Sequence, residues 1–244
     1  MITEYLEGIK ELLDRLQKTE MNQLESAAGM VASSLADGGI VHVFGSGHSH
    51  ILAEEVFFRS GGMVPVRPIL KEELMLHKGA ISSSMLERQN DYAKEFMKTE
   101  DIRSEDVVFV ISTSGRNPVP VDVAILAKDK GAYVIGITSL EYSNSQPSRH
   151  KSGRHLHEVV DLVLDNKAPE GDAILSHKDI PVRFGPSSTI MGAAILNSIL
   201  AQAGCLLKEQ GLEPPIFISG NVEGADEHNQ KLIEKYQGRI EYLS

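Results

Sequence analysis

Two short stretches carry the residue types that could hold an anion: Gly45–Ser49 (GSGHS) and Ser112–Asn117 (STSGRN). In the first, Gly45 and Gly47 permit a tight turn and close backbone approach, while Ser46 and Ser49 supply hydroxyl donors. The second repeats the recipe with Ser112, Thr113, Ser114 and Gly115. Each stretch follows a short apolar run, Ile40–Phe44 or Val107–Ile111, and precedes a helical pattern. A helix start offers unpaired N–H groups and the positive end of the helix dipole. Two such hydroxyl-rich loops can hold one phosphate from two sides without a lysine. The candidate binding residues are Gly47, His48, Ser49, Ser112, Thr113, Ser114 and Asn117.

Two commoner phosphate devices are absent. A dinucleotide fingerprint needs a third small residue where His50 stands and an acid ending the next strand, where Val64–Pro68 offers only Arg67. No GK[ST] follows either loop, which excludes a nucleotide P-loop.

Chemistry on a bound sugar needs an acid and a base. Glu54 and Glu55 lie on the helix that leaves the first loop, and Glu55 is the one taken as a candidate to face the ligand. His77 lies in an irregular segment, Glu72–Gly79, that could fold over a pocket. Glu87 is the third candidate, although Ser84-Met-Leu-Glu87 also reads as a capping box opening a helix that carries Tyr92 and Phe96. His150, His155 and His157 share a polar stretch with no ligand-like carboxylate pattern, and Asp172 and His177 are more remote; no metal or other cofactor is expected.

The positioning elements alternate. Apolar groups recur at helical spacing over residues 3–36, giving a helix or helix pair stopped by Asp37-Gly38-Gly39. Strands are expected at Ile40–Phe44, Met63–Val66, Val107–Ile111, Tyr133–Thr138 and Val159–Leu164, with Ile216–Ser219 as a possible last one. Helices are expected at His50–Arg59, Val119–Lys130, Ser187–Glu209 and Asp226–Tyr236, and a long surface loop over Glu141–His157. The implied fold is α/β, a three-layer αβα sandwich on a parallel sheet of about five strands. Residues 1–36 form a helical segment packing on the domain or on a partner subunit, and residues 37–244 the binding domain.

Charge narrows the partners. A net charge of -10 argues against nucleic acid, since no basic run offsets it. Cys205 is the single cysteine, read as a small buried core residue, and it excludes an intrachain disulfide. The first residues do not form a signal peptide, and no apolar segment is expected to reach the roughly 20 residues that span a bilayer. A cytoplasmic protein without membrane contact is expected.

FGSGHS at 44–49, and ISTSGRNP at 111–118 followed by VPVDVAILAKDKGAYVIGIT, resemble the sugar isomerase (SIS) domain family over roughly residues 35–210. The chain is most similar to bacterial members labelled phosphosugar or phosphoheptose isomerases. Gly185–Thr189, leading into a helix with Asn197, is similar to the family's third ligand-proximal segment. The resemblance implies a five-stranded parallel sheet and a homodimer or tetramer with sites near subunit contacts. It also implies Ser49, Ser112 and Ser114 as phosphate ligands, with Thr113 adding a backbone or hydroxyl donor. Asn117 replaces a threonine common in the family, and Arg59 stands about where phosphoheptose isomerase and the muramic acid etherase keep a catalytic glutamate.

Two functions follow as expectations. The first is an enzyme that isomerises or otherwise transforms a sugar phosphate or amino-sugar phosphate, with an etherase-like lyase as a variant. The second is a sugar-phosphate sensor that binds without turnover. Crowding of acid and base groups in residues 48–87 favours the enzyme; Arg59 weighs against it.

Overall fold

The computed structural model describes residues 1–244. Five strands form one parallel sheet: β1 (Val41–Gly45), β2 (Val66–Ile69), β3 (Val107–Ile111), β4 (Tyr133–Thr138) and β5 (Leu162–Asp165), in the order β2-β1-β3-β4-β5. Side chains alternate between two buried faces. Val41, Val43, Val107, Phe109, Ile111, Ile135 and Ile137 join one apolar cluster, and Phe44, Val108, Val110 and Val134 join another. Both faces are therefore covered, as the β-branched strand runs require.

On the first face lie α1 (Ile2–Thr19), α2 (Met21–Ala36), α3 (His50–Glu55) and α8 (Ser188–Glu209); on the second lie α5 (Ala93–Met97) and α6 (Pro118–Asp129). The helical segment before the first strand is a pair broken at Glu20. Its second member packs along α8, with Ala27, Ala28, Val31 and Ala32 fully buried. Lys167, beyond β5, donates to Glu20 at 2.6 Å and Asp165 at 3.0 Å, tying that break to the chain's own sheet. A separate apolar knot of Ile40, Val64, Phe217, Ile240 and Leu243 anchors the C-terminal end, where α9 (Ala225–Tyr236) lies.

Several expected elements shift for identifiable reasons. The helix after the first loop stops at Glu55, four residues short of Arg59, and Phe58 then adopts φ +42°. The second strand falls at Val66–Ile69, an edge position where Pro68 is tolerated. Ser84 and Glu87 do not form a capping box: Gly79, at φ +139°, opens α4 (Ala80–Glu87) earlier, so both lie within it. Asp91, at φ +66°, then separates α4 from α5. The stretch 141–157 is not a plain surface loop, because α7 (Leu140–Ser145) occupies its start and His150 is buried. Residues 216–219 contribute one isolated bridge, Met63 to Ile216, instead of a strand. A hairpin of β6 (Leu175–His177) and β7 (Ile180–Phe184) was not signalled.

Two corrections concern α8. Cys205 is exposed, because the buried stripe passes through Leu200, Ala203, Gly204 and Leu207. With 22 residues, α8 also has the length and apolar composition of a bilayer-crossing helix, contrary to expectation. Met191, Ile195, Leu196 and Ile199 are buried in the core, which accounts for that composition.

Candidate functional site

The sheet order 2-1-3-4-5 places a topological switch point between β1 and β3, where successive crossovers leave on opposite faces and open a crevice at the strand ends. α3 follows β1 onto the first face, and α6 follows β3 onto the second. Gly45 pairs with Ile111 in register, so loops 46–49 and 112–117 rise side by side from neighbouring strand ends.

The second loop is held through its carbonyls, one by the loop itself and the rest from outside. Ser112 O accepts from Gly115 N (3.1 Å), and Thr113 O from Ser139 N (2.9 Å) and Thr138 Oγ1 (3.2 Å). Ser114 O accepts from Ser143 Oγ (2.8 Å), Gly115 O from Leu156 N (2.8 Å), and Arg116 O from Arg149 N (2.9 Å). The N–H groups of Thr113, Ser114, Arg116 and Asn117 have no backbone partner. Carbonyls paired on one side and N–H groups left free make an anion nest at the start of α6. Pro118 and Pro120, in the first turn of that helix, carry no N–H to compete.

Gly115 makes this arrangement possible. It sits at φ +60°, and a Cβ there would lie 2.7 Å from both Ser143 Oγ and Thr138 Oγ1. These are the hydroxyls that hold the loop carbonyls. In the first loop, a Cβ on Gly45 would lie 2.4 Å from the Ser49 carbonyl, so the turn folds directly onto that glycine. The N–H groups of Ser46, Gly47 and His48 are again without backbone partners. The ring of His50, mostly buried, hydrogen-bonds the Gly47 carbonyl and fixes the turn. Sequence reasoning had treated His50 only as an obstacle to a dinucleotide motif.

Candidate side chains distribute unevenly around these loops. His48 is exposed at the tip of the first turn, and Ser49, Thr113, Ser114 and Asn117 are half-buried. Arg149 Nη1 donates to Asn117 Oδ1 at 2.9 Å, which leaves the Asn117 amide N–H groups as the free end. α4 packs against the 47–49 turn and against α6, so the segment bearing His77 and Glu87 lies beside the first loop. His77 is exposed on a single turn at Leu76–Lys78, and Glu87 is half-buried at the end of α4. Glu55 is drawn elsewhere: it is ion-paired to Arg59 and accepts from Asn197 Nδ2 of α8 at 3.4 Å.

The remaining polar groups have structural partners. Asp172 accepts from the N–H groups of Ser187 (3.0 Å) and Ser188 (2.8 Å) and from both hydroxyls, so the chain's own carboxylate caps α8. His150 is buried against Asp122 Oδ1 at 3.0 Å, and His155 donates to Gln146 O at 2.9 Å. The rings of His155 and His157 stack at 5.5 Å, and burial lowers the His157 pKa. No group of His, Cys, Asp and Glu side chains is disposed to hold a metal ion. Two clefts of about 430 Å³ have no loop residue in their lining, one formed by Phe58, Phe217 and α9, the other by Lys71, Tyr92 and Phe96.

Residues 4–139, more than half the chain and inclusive of both loops, match the sequence profile of the SIS domain. The chain belongs to the SIS domain family. A UPF0309 protein of Geobacillus thermodenitrificans is 61% identical over 243 residues, covering 100% of this chain and 98% of that relative. A second, from Thermoanaerobacter pseudethanolicus, is 42% identical over 247 residues and 100% of both chains. Among solved structures, a phosphoheptose isomerase from Neisseria gonorrhoeae superposes with TM-score 0.54 at 14% identity, over 85% of this chain and 97% of that one. A phosphoheptose isomerase from Francisella tularensis gives TM-score 0.53 at 17% identity, over 84% and 96%. At these identities the likeness establishes the fold.

Sequence reasoning about this SIS domain missed Arg149, which lies in the polar stretch beyond the matched residues. No local pattern marks it, because its partner Asn117 lies 32 residues away.

Proposed function

We propose that this SIS domain binds a sugar phosphate or amino-sugar phosphate and transforms it by acid–base chemistry, most simply an aldose–ketose isomerisation. The observation that carries the reading is the second loop. Each carbonyl from Ser112 to Arg116 is paired, while the N–H groups of Thr113, Ser114, Arg116 and Asn117 are free. Such a loop accepts an anion at no cost in broken hydrogen bonds. Opposite it, the Ser46–His48 N–H groups and the Ser49 hydroxyl supply a second wall, so the phosphate sits at the β1/β3 switch point with the sugar toward α4.

Isomerisation moves one proton between adjacent carbons, with a second group managing the ring oxygen. His77 and Glu87 ride on the segment beside the first loop and are assigned those two roles. Glu55 stays a third candidate only if ligand binding loosens its pair with Arg59. That pair is also the specific observation favouring the second reading, a sensor that binds without turnover. Ile81 and Met85, strongly exposed on α4 beside the first loop, fit completion by a second copy of the chain. The exposed Cys205 thiol fits a reducing cytoplasm.

The test is a thermal-shift and calorimetric panel comparing glucose 6-phosphate, glucosamine 6-phosphate and sedoheptulose 7-phosphate with their unphosphorylated sugars, followed by product analysis. Phosphorylated ligands should bind selectively, and Ser114→Ala should weaken them about tenfold, the worth of one charge-assisted hydrogen bond. Equal response to unphosphorylated sugars would refute the phosphate site. Turnover undiminished in His77→Ala and Glu87→Gln would remove those roles, and binding without turnover selects the sensor.

A further inference from the structure

Acidic side chains outnumber basic ones by 34 to 24 in this chain, so an arginine without an acidic partner is not forced by composition. Yet three arginines that form no ion pair lie on segments held together beside the second loop. Arg88 caps the end of α4, Arg116 belongs to the loop itself, and Arg149 follows α7. Arg116 Nε donates to Pro147 O at 3.0 Å, and Arg149 Nη1 donates to Asn117 Oδ1 at 2.9 Å. Burial lowers the Arg149 pKa, and the charges of Arg116 and Arg88 lower it further; Glu87 opposes this but forms no ion pair with any of them.

The cluster is built, not incidental. Lys151 N donates to Asn90 Oδ1 at 2.8 Å, and Lys151 Nζ pairs with Asp91. Asp91 N donates to Asp122 Oδ2 at 2.8 Å, and Asp122 Oδ1 meets the buried His150 at 3.0 Å. These bonds clamp residues 90–91 to residues 150–151, and so bring together the segments that carry Arg88 and Arg149, more than sixty residues apart in sequence. The fold thus holds like charges in proximity, at an electrostatic cost, next to the phosphate nest. Asn117 belongs to that nest and is also the residue Arg149 holds. A phosphate that takes the free N–H groups leaves the remaining guanidinium donors of these arginines without an acidic partner.

We propose that Arg88, Arg116 and Arg149 receive a second anionic group of the same ligand, so that the sugar phosphate taken by this site carries another acid, a carboxylate or a second phosphate. This rests on the sugar-phosphate reading above. Guanidinium groups suit either acid, since their paired N–H donors match the oxygens of both.

Calorimetric titration with glucose 6-phosphate, 6-phosphogluconate and fructose 1,6-bisphosphate separates the possibilities and the two acid types. At least one doubly acidic probe should bind about tenfold more tightly than glucose 6-phosphate in moderate salt. In Arg88→Gln and Arg149→Gln the ratio of the two affinities should fall toward one, while Arg88→Lys keeps part of it; circular dichroism and melting temperature confirm folding. Equal affinity for all probes in the natural chain overturns the proposal. So does a uniform loss across probes in the variants, which would assign the arginines to the phosphate already described. Absence of binding by any phosphate would instead overturn the phosphate site, and this proposal with it.

Discussion

Gly115→Ala and Gly47→Ala place the same methyl group at nearly the same backbone conformation, φ +60° and +57°, in different surroundings. At Gly47 a Cβ meets nothing within 4 Å, so only the left-handed backbone is penalised, by about 1 kcal/mol. At Gly115 the new carbon lies 2.7 Å from Ser143 Oγ and Thr138 Oγ1 and 3.5 Å from Leu156 Cβ. Overpacking of that kind costs roughly 1–3 kcal/mol beyond the backbone term. Together the two effects come to about 3 kcal/mol, which in a chain of this size lowers Tm by roughly 6–12 °C, against roughly 2–4 °C for Gly47→Ala. The displaced hydroxyls are those bonded to Thr113 O and Ser114 O, so the loop should rotate and its N–H groups diverge. Binding of glucose 6-phosphate or another ligand found in the panel should therefore weaken at least tenfold in Gly115→Ala. Adding Ser143→Ala removes one clash and should restore part of the lost Tm. Differential scanning fluorimetry with calorimetric titration reads all of this. A Gly115→Ala chain that melts like Gly47→Ala and binds like the natural protein would refute the account of the loop.

Other outcomes can be checked alongside. Asp106 is fully buried and accepts from Ile40 N, Arg103 N, His42 and Arg239, so Asp106→Asn should cost about 3 kcal/mol in urea unfolding by leaving the Arg239 charge without its main partner. Burial lowers the His42 pKa below 6.5, and the Asp106 hydrogen bond recovers it only in part. Below pH 6.5 the unfolded chain therefore binds a proton that the folded chain refuses, and stability should fall by up to about 1.4 kcal/mol per pH unit; His42→Gln should flatten that slope. For Asp106, burial acts to raise the pKa but the bonds from His42, Arg239 and two backbone N–H groups win, holding it well below 3.8. Its stabilisation is complete above that pH and lost as pH drops further, adding a second acid limb to the same urea series. Asp172→Ala removes the α8 cap and should lower stability by about 1–2 kcal/mol, measured by the urea midpoint.

The sheet and its two loops were legible because their signals are local. Val107–Ile111 is apolar throughout and β-branched at every position but Phe109, and the structure places β3 at those residues. Helix boundaries were less legible where one backbone conformation decides them: Gly79 at φ +139° moved the start of α4 away from a persuasive Ser84–Glu87 pattern. Cys205 illustrates the same limit on burial, since a helix apolar almost all round does not reveal which residue falls outside its buried stripe. His150, read as part of a polar surface loop, is buried because Asp122 on α6 waits for it 28 residues away.

By itself the sequence determined where the two glycine- and hydroxyl-rich loops fall, between an apolar strand and a helix, because those signals are local and their order along the chain survives folding unchanged. The tertiary structure decided what stands around those loops. It raised them side by side through the pairing of Gly45 with Ile111, diverted Glu55 to Arg59, and brought Arg149 to Asn117. Those are encounters between residues distant in the chain, governed by strand order and clamp contacts such as Asp122 with His150, and no window of local sequence encodes them.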